Sequence, residues 1–225
     1  MFSATPRELG YRMPAEWERH EATWLAWPHN PEDWPGKFQP IPWIYAEIVR
    51  LLSARERVYI LANDEKAKQR AVSMLERAGA HLNRVTFLLW PTDRCWMRDS
   101  GPIFVRDGKG HVGVTNWFFN AWAKYENWRL DDQIPDRVSE LLGLPAWQPE
   151  IELAGGLVLV PTFHDPKDRV ALNILAGVFP ERDVIGIHCV DLVWGLGTLH
   201  CMTQQQPADL CTTDDSLPVG TAVDL

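Results

Sequence analysis

The sequence predicts a mixed α/β fold, and three observations carry that expectation. A strand-helix-strand pattern occupies roughly residues 58–89, the same pattern returns about a hundred residues later, and an antiparallel pair with a glycine-containing turn lies between them. Strands that alternate with helices of ten or more residues are the grammar of parallel βαβ units.

The elements follow in order. Residues 42–54 read as an amphipathic helix, with Pro42 near the first turn, where a missing N–H costs nothing. A strand is expected at Val58–Leu61. Asn63 or Asp64 can cap a second helix that runs through Arg77, and Gly79 ends it before a buried strand at Val85–Leu89. Ile103–Val105 and Val112–Trp117 then form a hairpin-like pair, with Asp107-Gly108-Lys109-Gly110 as its turn. A short helix is expected at about Asp132–Leu142. The second unit consists of a strand at Leu157–Val160, a cap at Asp165 with Pro166 at the first helical position, a helix to Phe179, and a strand at Val184–Ile187. The two units form a weak internal repeat. Asp99 follows the strand that ends one unit and Cys201 follows the strand that ends the other, so equivalent ends can converge on one centre.

A chain of 225 residues with 46% hydrophobic content and 12 tryptophans has ample material for one core. No apolar run approaches the roughly 18 residues that cross a bilayer, and Met1-Phe2-Ser3-Ala4-Thr5-Pro6-Arg7 lacks a hydrophobic signal core, so no membrane partner and a cytoplasmic location are expected. The net charge of −8 argues against a nucleic-acid partner, which needs clustered Lys and Arg, and suits a small cationic ligand. The cysteines Cys95, Cys189, Cys201 and Cys211 show no CxxC spacing and read as free thiols. The 7 histidines lack metal-ligand spacing, so neither a metal nor another cofactor is expected.

Two segments carry candidate chemistry. Gly195-Leu196-Gly197-Thr198-Leu199-His200-Cys201-Met202 sets a thiol among glycines that permit positive torsions and close backbone approach, and Cys201 is expected to open a short strand. Trp96-Met97-Arg98-Asp99-Ser100-Gly101-Pro102 sets a carboxylate beside an aromatic ring. Taken alone, such a cysteine is usually a small buried hydrophobe, such an aspartate usually pairs with an arginine such as Arg94 or Arg98, and tryptophans usually fill cores.

The context changes that weighting. Met13-Pro14-Ala15-Glu16-Trp17-Glu18, Trp24-Leu25-Ala26-Trp27-Pro28, the stretch from Asp93 to Pro102, Asn120-Ala121-Trp122 and the stretch from His200 to Pro207 occur in one order from about Tyr11 to Pro207. Together they resemble the agmatine deiminase family of guanidino-modifying enzymes, relatives of bacterial-type peptidylarginine deiminases. The resemblance implies an α/β propeller, pentein-like, of ββαβ modules about a pseudo-fivefold axis. It also implies hydrolysis of agmatine to N-carbamoylputrescine and ammonia, in putrescine and polyamine formation. Agmatine is preferred over peptidyl arginine because the strings are closer to the small-substrate enzymes.

Deimination replaces a guanidinium nitrogen by oxygen. Resonance makes the guanidinium carbon a poor electrophile, so carboxylates must fix the planar cation and a strong nucleophile must add to it. The resemblance makes Cys201 the nucleophile, forming a thiouronium intermediate, and Asp99 a guanidinium-binding carboxylate. It makes Trp96 an apolar wall for the substrate, with Trp27, Trp34 and Trp122 as further candidates. His200, next to Cys201, is expected on the opposite face of a strand and is not assigned as a base.

The chain departs from the family pattern at one place. The resemblance implies a Gly-His-x-Asp string carrying the acid/base histidine, and no such string occurs here; neither His111 nor His164 matches it. The sequence passes from Gly155-Gly156 directly into Leu157, which points to a central deletion near residues 153–157 and an incomplete propeller. The expected organisation is one deiminase-like domain over residues 1–210 and a flexible tail over 211–225, and association into a homo-oligomer stays open. A catalytically inactive relative that keeps a guanidinium pocket, or that serves as a subunit partner, is the alternative. A papain-like protease is not expected, because no histidine follows Cys201.

Overall fold

The computed structural model describes residues 4–148, 161–178 and 185–207. Its first sheet has the order β3-β2-β1-β9 and is built on β1 (His20–Ala26), with β2 (Arg57–Leu61) and β3 (Val85–Leu88) parallel to it and β9 (Gln204–Pro207) antiparallel on its other side. Thr23 through Ala26 of β1 are all buried, and such a run has no apolar-polar alternation, which is why the sequence did not announce this central strand. Trp24 stacks on Tyr59 with ring centroids 4.3 Å apart.

The two expected helices cover this sheet. Helix α1 (Ile41–Ser53) buries Ile41, Tyr45, Ala46, Ile48 and Val49, while α2 (Glu65–Ala78) buries Ala67, Ala71 and Leu75 and packs on α1. The α2 ends behave as their residues require. The Ala67 N–H donates to Asp64 Oδ1 at 2.6 Å, and Gly79 closes the helix with φ +79°, a torsion that would strain a side chain.

A one-turn helix α3 (Met97–Ser100) leads into the hairpin β4 (Ile103–Arg106) and β5 (Val112–Thr115), and β6 (Ala146–Trp147) adds parallel to β5. The turn is held by Asp107, which accepts from the Lys109 and His111 N–H groups at 2.8 and 2.9 Å. Helix α4 (Ile134–Leu142) follows a short 3₁₀ turn at Asp131–Gln133, close to the expected position.

The second unit is β7 (Pro161–Thr162), α5 (Pro166–Val178) and β8 (Ile187–His188), with its two strands parallel. Asp165 accepts from the Lys167 N–H at 2.8 Å, as its capping position implies. The expected strand at 157–160, the proposed deletion and the tail after 210 all lie outside the described residues. A final one-turn helix, α6 (Leu199–Met202), precedes β9.

That helix corrects one expectation. Cys201 does not open a strand: it is the third residue of α6, and the strand starts at Gln204. The Thr203 hydroxyl donates to the Leu199 carbonyl at 3.2 Å and finishes the turn, a local bond that apolar alternation over four residues does not reveal. The argument that set His200 on the opposite face assumed a strand and does not transfer to a helical turn.

One buried ion pair ties these parts together. Arg94 donates to Asp33, both within the core, and Arg94 also donates to Asn127 Oδ1 at 3.1 Å and lies 3.6 Å over the Tyr125 ring. Burial pushes the Asp33 carboxyl up, with the Arg94 charge pulling against it. Replacing Arg94 by Met should strand the Asp33 charge and lower unfolding stability by about 3–5 kcal/mol, read from the urea midpoint. A loss smaller than about 1 kcal/mol, of the size seen for exposed pairs, would show that the pair does not hold the fold.

Asp131 gives a pH signature. It is buried, accepts from the Asp93 and Arg94 backbone N–H groups at 2.6 and 3.1 Å, and burial foremost raises its pKa to about 7. The folded chain therefore holds this proton up to about pH 7, while an unfolded carboxyl releases it near the ordinary aspartate value of 3.8. Its contribution to stability is complete below about pH 4 and is lost as pH rises through about 7. Asp131→Asn should remove that component, and wild-type and variant urea midpoints measured from pH 4 to 8 should diverge over this window. Parallel curves would refute the assignment.

Candidate active site

The two candidate segments meet. Helices α3 and α6 pack against each other, and the strands that follow them, β4 and β9, are also in contact. Asp99 and Cys201 hold matching places, each the third of four residues in a one-turn helix. The first turn is closed by the Ser100 hydroxyl donating to the Trp96 carbonyl at 3.1 Å, and Pro102 follows it, unable to continue a helix.

The glycines before Cys201 serve close approach. A Cβ on Gly197 would fall 2.8 Å from the Trp96 ring, 3.0 Å from Cys201 Cβ and 3.2 Å from Cys201 Sγ, so this backbone is wedged between ring and thiol. A Cβ on Gly195 would fall 2.6 Å from Trp34 Nε1. The positive torsion expected of these glycines belongs instead to Leu196, at φ +64°. Trp34 Nε1 donates to the Leu192 carbonyl at 2.9 Å, and Lys37 pairs with Asp191 at 3.0 Å, which fastens the loop before α6 onto the segment that carries Asp33.

Trp96 is only 4% exposed and lies 5.2 Å from Trp34 between ring centroids. It supports the Gly197–Cys201 segment from the core side. Trp27 and Trp34 are core residues, whereas Trp122 is 43% exposed and donates its indole N–H to Asp99 Oδ1 at 3.2 Å. Arg94 pairs with Asp33, and Arg98 pairs with Glu16 at 3.2 Å while its charge also acts on Asp99. Burial raises the Asp99 pKa, opposed by the Trp122 bond and the Arg98 charge.

The cysteines separate by environment. Cys95 and Cys189 are buried and their thiols are pushed up, the latter to about 11, while Cys201 is partly exposed. Cys211 lies outside the described residues. His111 bonds to Asp107 on the hairpin at 2.8 Å, and His164 lines, with His188 and Asp165, a cavity of about 660 Å³ to which Asp99, Trp96 and Cys201 do not contribute. Among the described residues no three His, Cys, Asp or Glu side chains form a metal-ligating group, and no helix is long and apolar enough to cross a membrane.

Sequence reasoning named Cys201, Asp99 and Trp96 but missed the bond from Trp122 and the pairing of Arg98 with Glu16. The strings containing Asn120-Ala121-Trp122 and Glu16 were visible, yet spacing does not show which side chains meet.

The model of the Porphyromonas-type peptidyl-arginine deiminase family matches residues 12–158 and 153–207. The agmatine deiminase of Pseudomonas aeruginosa (strain LESB58) is 35% identical over 146 residues, which is 62% of this chain and 38% of that protein. The agmatine deiminase of Ectopseudomonas mendocina (strain ymp) is 30% identical over 164 residues, 70% of this chain and 43% of that one. The chain thus matches less than half the length of these curated relatives. The solved agmatine deiminase of Enterococcus faecalis superposes with a TM-score of 0.80 at 15% identity, over 93% of this chain and 99% of that one. That likeness shows the fold: the three described sheets are those of a pentein-like α/β propeller, and they do not close into a barrel.

Gly197→Ala tests the contact between ring and thiol. The added methyl group has no space unless Trp96 or α6 shifts, so the variant should lose about 1–3 kcal/mol of stability in urea melts. A neutral effect would mean that α6 does not rest on Trp96.

Proposed function

Because the chain belongs to the Porphyromonas-type peptidyl-arginine deiminase family, we propose that its site acts on a small guanidinium compound, agmatine, and hydrolyses it to N-carbamoylputrescine and ammonia. The observation that carries the reading is the packing of α3 on α6, with Asp99 and Cys201 in matching positions. The agmatine deiminases among its relatives support agmatine over peptidyl arginine. The reaction would serve putrescine formation in the cytoplasm.

The chemistry divides between the two residues. Asp99, ionised, accepts N–H bonds from the guanidinium and fixes its plane. The Cys201 thiolate adds its electron pair to the guanidinium carbon, a proton from solvent passes to the departing nitrogen as the C–N bond breaks, and ammonia leaves to give the thiouronium. Water then adds to the same carbon and gives up a proton to solvent, the C–S bond breaks, and the ureido product departs as the Cys201 thiol is restored. Trp96 acts from below, holding the Gly197 backbone against Cys201.

A second reading is binding without turnover, and one observation favours it: the sequence contains no Gly-His-x-Asp string. General acid/base help is worth about 10²–10⁴ in rate, so its loss leaves a slow enzyme or a binding protein. We place the missing centre at residues 153–157, a reading supported by the two blocks of the family match, which meet at 153–158.

The test is incubation of the full chain with agmatine, scored by ureido product against Cys201→Ala, alongside thermal melts with millimolar agmatine. Product that vanishes in Cys201→Ala supports hydrolysis. A raised melting midpoint without product supports binding alone, and neither effect removes both readings. Because burial raises the Asp99 pKa, the agmatine-induced rise should shrink as pH falls through the Asp99 titration and be absent in Asp99→Asn.

A further inference from the structure

Trp122 sits in an unusual stretch of backbone. Ala121 and Trp122 both have positive φ, +52° and +56°, and neither is glycine. Consecutive left-handed torsions in ordinary residues persist only where the surroundings enforce them, and such strain gathers where a side chain must be aimed. The indole edge meets Phe119 with centroids 5.2 Å apart and Tyr125 at 6.2 Å, so two rings grip it although its face stays 43% exposed. Tyr125 in turn lies against Arg94, whose partner Asp33 precedes Trp34, the ring that packs on Trp96. The turn is therefore anchored to the same buried network that supports the thiol segment. Its outward result is one bond, from Trp122 Nε1 to Asp99 Oδ1 at 3.2 Å.

We propose that Trp122 is a positioning residue: its indole N–H fixes the plane of the Asp99 carboxylate and keeps Oδ2 turned to receive a planar cation. A carboxylate oxygen has two lone pairs, so Oδ1 can hold the indole N–H and still accept one guanidinium N–H, while Oδ2 accepts the other. The clamp therefore assists a two-point contact without blocking it. The inference rests on the guanidinium reading for its purpose, but the clamp itself can be observed without substrate.

Several charges share the surroundings of Asp99. Arg98 lies on the same helix and is paired to Glu16, Cys201 comes from α6, and Lys124 and Arg94 both lie over the Tyr125 ring. Arg98 and the indole bond favour the anion, while burial opposes it. Removing only the N–H leaves the other influences in place.

The experiment uses the full chain with ¹³C-labelled carboxyl groups and ¹⁵N-labelled indoles, comparing wild type, Trp122→Phe and Asp99→Asn by NMR titration. Trp122→Phe keeps an aromatic ring against Phe119 and Tyr125 and should raise the Asp99 midpoint by about half to one pH unit. The Trp122 indole resonance of the wild type, identified by its absence from Trp122→Phe, should follow the Asp99 titration and become independent of pH in Asp99→Asn. Agmatine, used as the probe in melts near neutral pH, should bind Trp122→Phe about three- to tenfold more weakly. An unchanged Asp99 midpoint, or an indole resonance that ignores Asp99, overturns the proposal. If Trp122→Phe fails to fold, an indole resonance that titrates with Asp99 in wild type and is independent of pH in Asp99→Asn decides for the proposal, and the absence of any such resonance decides against it. A clamp detected without any response to agmatine would leave Trp122 in place and remove agmatine as ligand, whereas agmatine binding with no clamp would do the reverse.

Discussion

A buried guanidinium is the constraint around which this molecule is arranged. Arg94 is 1% exposed, and a charge so placed must be met by an opposite charge and by groups that replace its water. Asp33 does this from one stretch of chain, and Asn127 and Tyr125 do it from another. Satisfying one cation therefore fixes the loop before α1, the segment leading into α3, and the region before α4. Trp34, next to Asp33, donates to the Leu192 carbonyl and packs on the Trp96 ring, so the same centre reaches the loop that delivers Cys201.

From that anchor the site follows by geometry. Pairing β9 with β1 returns the end of the described chain to the strand at the middle of the first sheet, and α3 and α6 then come side by side. Gly197 lets the backbone lie between Trp96 and the thiol. The internal repeat gains a physical meaning here. Each parallel unit is followed by a loop, a one-turn helix with its candidate residue in third place, and a strand, and the two copies of this ending are packed together. Asp99 and Cys201 occupy equivalent positions in that ending.

Much of this was legible where the physics is local. Asp64 and Gly79 mark the ends of α2, Asp107 marks a turn and Pro166 a helix start, because each acts on backbone within a few residues. What escaped was of two kinds. Strand β1 has no alternation to read, since Thr23 to Ala26 are all buried, and α3 and α6 are too short for any period to emerge. The other kind is long-range: Arg94 and Asp33 are 61 positions apart, and Trp34 and Leu192 are 158 apart. The roles of Asp99 and Cys201 came from extended matching strings, and spacing alone would have left them as an ion-paired aspartate and a core cysteine.

The three aromatic residues near the site show how a shared chemistry divides by burial. Trp34 is fully buried and spends its N–H on a backbone carbonyl, Trp96 is nearly buried and packs its ring against Trp34 and the Gly197 backbone, and Trp122 is exposed and turns its N–H to Asp99. An indole has one donor, so where that donor points decides what the ring can hold in place. The Trp34 donor holds protein to protein. The Trp122 donor meets a half-buried carboxylate whose pKa burial raises. A fold that needed Trp122 only for packing would gain nothing from two successive left-handed torsions. The strain is explained if the turn exists to aim that N–H, and the aim of the carboxylate then follows from the same buried network that sets the thiol.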